Sequence, residues 1–264
     1  MQIEATSLEG FTTREGERDA HIHLRRGQDV RRFLGELDTQ VVYVDITGLP
    51  HHVWAALIKH GLAMGCEIRI SYVEPAEYAF SEAPTEGSIF DLSDRILGIA
   101  PLPGFARLAD PDYADEAVFV PLLGFEGTRF SYMLEQLQPP ADRVVPIVGV
   151  PGFRPEYPFY TYVGNRSALT STGAWARVLV ATANCPFAAF YVLEDIRQEY
   201  PRSLLQVAPI GTKPHSVGAV LFALCYPDDT ELIYDFPVRS SKRTVGAARR
   251  FVYDVGAFHQ GLAG

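Results

Sequence analysis

Ala176-Arg-Val-Leu-Val-Ala-Thr-Ala183 and Leu204-Leu-Gln-Val-Ala-Pro-Ile210 are two short apolar runs, rich in Val, Leu and Ile, on either side of Pro186–Glu199. The intervening segment has helical character, and proline at its first turn suits a helix start, where the missing N–H costs no bond. The pattern strand, helix, strand then repeats. Gly211-Thr-Lys-Pro214 leads into an apolar helix over Ser216–Leu224, and Glu231–Phe236 forms the next strand. Towards the N-terminus the same rhythm appears. Val41–Thr47 and Glu67–Val73 read as strands around a helix at His52–Ala63. Ala117–Leu123 and Arg143–Val148 flank a helix near Thr128–Gln138. Nearly continuous apolar strands separated by helices predict a parallel sheet covered on both faces. The expected fold class is therefore α/β: a doubly wound, mostly parallel, Rossmann-like sheet in a single domain over 1–264. Two stretches break the rhythm and read as irregular insertions, near 78–114 and 152–173.

The chain has 264 residues, with 23 Lys and Arg against 32 Asp and Glu, giving a formal net charge of −9. With 47% hydrophobic residues it is not a wholly disordered chain. Its acidity argues against broad binding to duplex nucleic acid, which needs surplus Lys and Arg along the phosphates. No apolar run approaches the roughly 20 residues of a membrane helix, and Met1–Gly10 has no secretory-signal pattern. Cys66, Cys185 and Cys225 are far apart and form no CxxC pair, so neither a disulfide framework nor a zinc site is expected. The expected protein is cytoplasmic, without a membrane anchor, metal or cofactor.

Open α/β sheets bind ligands beyond the carboxyl ends of their strands, so the candidate site residues are those that follow each strand. In Gly211-Thr-Lys-Pro-His-Ser216, Gly211 permits close backbone approach and the helix start offers N–H groups to an anion. Thr212 and Ser216 add hydroxyls, Lys213 a charge, and His215 a group able to donate or to act as acid or base. In Gly124-Phe-Glu-Gly-Thr-Arg129, Arg129 would form a bidentate contact with phosphate or carboxylate. Glu126 would bind a ribose hydroxyl, pair with Arg129 or serve as a second acid–base candidate. Asp45 and Thr47 end the strand Val41–Thr47, with helix capping as the competing role for Asp45. Arg239 opens the basic turn Arg239–Arg243, which reads either as reinforcement of an anion site or as a solvated loop. Phe153, Tyr157, Phe159, Tyr160 and Tyr162 would stack on a base or pin their own loop.

At Gly211-Thr-Lys213 and its following helix, and loosely at Asp45-Ile-Thr-Gly48, the sequence resembles the CRISPR-associated Rossmann fold (CARF) sensor domains. Pro214-His215 departs from the Met-containing continuation often found there. The resemblance implies a homodimer that binds a cyclic oligonucleotide or related nucleotide signal in prokaryotic antiviral defence; with no effector domain recognisable in the sequence, the output of such a sensor would fall to a separate effector protein. Read from the residues, three functions stay open. One is a sensor for a nucleotide or other phosphorylated small molecule. A second is an enzyme acting on such a molecule through His215 or Glu126. The third is a structural subunit of a larger complex.

Overall fold

The computed structural model describes residues 1–15, 18–37, 39–85, 87–90, 92–107 and 117–262. The chain divides into two compact units. One comprises Met1–Glu74, Leu102–Gly104 and Arg249–Gly264; the other comprises Pro75–Pro101 and Phe105–Ala248.

The first unit opens with an antiparallel meander of Gln2–Ser7, Gly10–Glu15 and Arg18–His23. Its second sheet pairs Val41–Asp45 parallel to Glu67–Glu74, with Arg249–Asp254 antiparallel on the other side. The helix His51–Ala63 is buried along its whole first half, His51 to Ile58. It is apolar nearly all round, as a core helix must be. Its His52 lies with Nε2 3.2 Å from the Ser7 carbonyl.

The second unit holds the candidate residues. Its central strands are β1 (Val118–Pro121), β2 (Ile147–Gly149), β3 (Leu179–Ala181), β4 (Leu205–Ala208) and β5 (Thr230–Tyr234). Its main helices are α1 (Gly127–Leu137), α2 (Tyr157–Ser171), α3 (Pro186–Glu199) and α4 (Lys213–Cys225). Strands β1, β4 and β5 run parallel, and Ala100–Pro101 adds an antiparallel edge to β5. Strands β2 and β3 form a separate parallel pair, which meets β1 at the isolated bridges Phe119–Val144 and Leu122–Ile147. Phe119, Phe130, Met133, Val144, Leu169 and Ile233 are among the residues that fill one core. Helices α3 and α4 pack so closely that a Cβ on Gly218 would lie 2.2 Å from the Pro186 carbonyl oxygen.

This architecture corrects the expected fold class. The protein is α/β, but its sheets are small, fragmented and mostly mixed or antiparallel, and the described residues form no doubly wound, Rossmann-like sheet. Part of the reason is local. Pro121 ends β1 and Pro146 precedes β2, and a proline cannot donate to a ladder. The rest is topological. Period and alternation identify strands without saying which sheet each one joins. The stretch read as an irregular insertion near 78–114 carries antiparallel strands, Phe80–Thr85 with Ser88–Phe90 and Ser93–Ile96 with Pro237–Arg239; 108–114 lies outside the described residues. The aromatic stretch near 152–173 is largely the helix α2, with Pro158 in its first turn.

Candidate functional site

The Gly-Thr-Lys-Pro loop joins β4 to α4, and its groups are turned inward. A Cβ on Gly211 would lie 2.5 Å from the Leu123 carbonyl oxygen, so the glycine serves chain packing. Thr212 caps the helix: its Oγ1 accepts from the His215 N–H at 3.3 Å and donates to the Ala183 carbonyl at 3.0 Å. The Ser216 N–H donates to the Thr212 carbonyl, and its fully buried hydroxyl lies 3.0 Å from the same oxygen. Pro214 has no N–H to offer. The groups that would cradle a phosphate thus already hold the turn, with Lys213 half-buried beside them.

His215 has no exposed surface, and its Nε2 donates to the Thr182 carbonyl at 3.1 Å. Burial pushes its pKa from 6.5 down to about 4, against the opposing pull of the Thr182 and Ala181 carbonyls. The ring is neutral in the folded protein. Because the unfolded chain binds this proton more readily, His215 costs no stability above its unfolded value. As the pH falls from 6.5 towards 4 its contribution turns against the fold. The expected loss is about 3 kcal/mol on that descent. Urea unfolding across this range checks it: the wild type should weaken more steeply than His215→Gln, and equal slopes would refute a neutral buried ring.

The second loop, after β1, builds a charged cluster. Gly124 faces Gly211, with the position of a Cβ 3.1 Å from its Cα. Arg129, in the first turn of α1, is fully buried. Its Nε and Nη2 donate to Asp235 Oδ2 and Oδ1 at 2.7 and 2.5 Å, a bidentate fork. Its Nη1 donates to the Ile210 carbonyl at 2.9 Å and lies 3.6 Å from Glu126 Oε2. The guanidinium also sits over the Tyr234 ring. Burial alone would lower its pKa, but Asp235, with help from Tyr234 and Glu126, holds it above its ordinary value. Arg129 is therefore spent on the protein's own groups and organises the site.

Glu126 Oε2 also accepts from Arg239 Nη1 at 3.1 Å, and the same Nη1 reaches Ser93 Oγ at 3.1 Å. The acid–base candidate thus sits between two arginines. Arg243 completes the group. It is half-buried, and its guanidinium makes no hydrogen bond or ion pair with the described residues. Burial lowers its pKa, Arg239 lowers it further, and Glu126, Tyr78 and Tyr234 pull the other way. Beside this cluster the rings of Tyr78, Phe90, Phe125, Tyr157 and Tyr160 pack together, with Phe90 and Phe125 stacked at 4.7 Å.

The structure thus brings Glu126, Arg129 and Arg239 together and adds Arg243, Asp235 and Ser93. His215, Thr212 and Ser216 form a separate, closed turn. Asp45 and Thr47 belong to the other unit, where Asp45 accepts from the Thr47 N–H and Thr47 Oγ1 accepts from the Val73 N–H. Of the added residues, Arg243 stood at the end of the basic turn and Asp235 at a strand end. Nothing local in the sequence marked Ser93. Among the described residues no helix is long and apolar enough to cross a membrane. Comparison with models of known families, with curated proteins and with solved structures finds no match. Without the Rossmann-like sheet, nucleotide sensing in antiviral defence loses the architecture on which the resemblance placed it.

Proposed function

We propose that the second unit is a binding module for a small anionic ligand, taken up at Arg239 and Arg243. The observation that supports this reading is the state of Arg243. A half-buried guanidinium with no hydrogen-bonded acceptor among the described residues carries a desolvation cost that Glu126, Tyr78 and Tyr234 offset only in part. An anion placed against it would recover that cost. Arg239 has room to contribute, because its bonds to Glu126 and Ser93 both use Nη1. Ligand sites commonly hold such locally unfavourable groups, at some expense to stability.

Thermal unfolding tests the proposal. Arg243→Met keeps the length of the aliphatic stem and removes the charge. The variant should unfold at the same temperature as the wild type or slightly above it in anion-poor buffer. Sodium acetate should raise the wild-type midpoint and leave the variant's unchanged, because only a native-state binder stabilises by mass action. An equal rise in both proteins would refute the site.

A further inference from the structure

Around Arg243 the charges balance unevenly. Among the described residues, Arg129 and Arg239 take up two carboxylates, Asp235 and Glu126, and Arg243, which feels Glu126 and Arg239 through their charges, pairs with neither. Asp235 is consumed by the fork from Arg129. Glu126 is divided between Arg129 and Arg239. Among these five groups one positive charge remains, and Arg243 carries it. Among the described residues, the hydroxyls of Tyr78 and Tyr234 also act on Arg243.

From this we infer that the site takes a singly charged oxyanion, a carboxylate or a phosphodiester, in preference to a doubly charged phosphate monoester or sulfate. The inference rests on the reading of Arg239 and Arg243 as an anion site and narrows its ligand class. Two dependences decide the preference. Attraction to one surplus positive charge grows in proportion to the ligand's charge. The cost of removing the ligand from water grows with the square of that charge, and ion desolvation is already the dominant penalty in partly buried sites. A second negative charge also comes to lie near Glu126, which is held in place by its two arginines and cannot retreat. Like charges at short range raise the cost further. The available donors match a small oxyanion: Nε and Nη2 of Arg239 are not used in its bonds to Ser93 and Glu126. The Arg243 fork can engage two oxygens side by side.

The test is a calorimetric titration of the intact protein and of Arg243→Met at constant ionic strength. The probes are sodium acetate, dimethyl phosphate, sodium sulfate and inorganic phosphate. Acetate or dimethyl phosphate should bind the wild type at least about tenfold more tightly than sulfate, and Arg243→Met should lose that binding. Whichever of the two binds better identifies the source of the oxyanion. Inorganic phosphate should bind more weakly at about pH 8, as the dianion, than at about pH 6, with acetate at both values reporting any change in the protein itself. Sulfate and dianionic phosphate binding as tightly as acetate would overturn the charge preference while leaving the anion site standing. Binding of no anion, or equal binding by Arg243→Met, would overturn the site and the preference together.

Discussion

Replacing Arg129 with methionine is expected to cost about 4 kcal/mol of stability, the largest single effect in the charged cluster. Methionine fills much of the stem's volume, so packing changes little. What changes is Asp235, which has no exposed surface and receives both of its bonds at 2.5 and 2.7 Å from Arg129. Left alone, that carboxylate must stay charged in a dry interior or take up a proton, and the Ile210 carbonyl loses a donor as well. For a chain of this size such a loss corresponds to a fall of roughly 10 °C in the melting temperature. The double variant Arg129→Met, Asp235→Asn removes the stranded charge and should recover about half of the loss. If the single variant melted within about 1 °C of the wild type, the buried fork would not be holding the loops after β1 and β5 together.

The second large effect is steric. A methyl group on Gly127 would lie 1.7 Å from the Gly164 carbonyl oxygen, and one on Gly164 would lie 2.4 Å from the Phe125 carbonyl oxygen. Both obstacles are backbone, so relief requires α1 to move away from α2. In an unencumbered helix, glycine to alanine stabilises by about 0.5–1 kcal/mol. Here overpacking outweighs that gain, and Gly127→Ala should lose about 3 kcal/mol. Gly261, in the helix Val255–Leu262, provides the contrast: nothing lies within 4 Å of its Cβ position, so alanine there should be neutral or mildly stabilising. Urea midpoints of the two variants check the pair. A neutral Gly127→Ala would show that the two helices do not approach as closely as described. Because α1 carries Arg129 and follows Glu126, its displacement should also weaken anion binding.

Much of the local structure is legible in the sequence. The strands at 118–121 and 205–208 fall inside the expected runs, and that at 230–234 begins one residue before its run. The helix at 186–199 begins where Pro186 signals a start, whereas the helix at 213–225 begins three residues before the expected Ser216. The assembly of strands into sheets is not legible, because hydrophobic alternation is the same for a strand in a parallel core and one paired antiparallel at an edge. The same limit applies to the site. Arg129 looked like a ligand contact because it follows a glycine-rich loop. Its partner, Asp235, is 106 residues away, and no spacing rule links them. The Gly-Thr-Lys-Pro turn has the composition of an anion cradle, yet Gly211 there fits against the carbonyls of Leu122 and Leu123. Arg243 was visible only as part of a basic turn; its partial burial, without an acceptor among the described residues, arises from tertiary structure.

The most direct measurement is an NMR titration of the arginine Nε–Hε signals of the intact protein with sodium acetate. Saturable shifts at Arg239 and Arg243, with the signal of the committed Arg129 unmoved, are the predicted result. Shifts that grow linearly without saturating, or that appear equally at the exposed arginines, would contradict an anion site at this cluster.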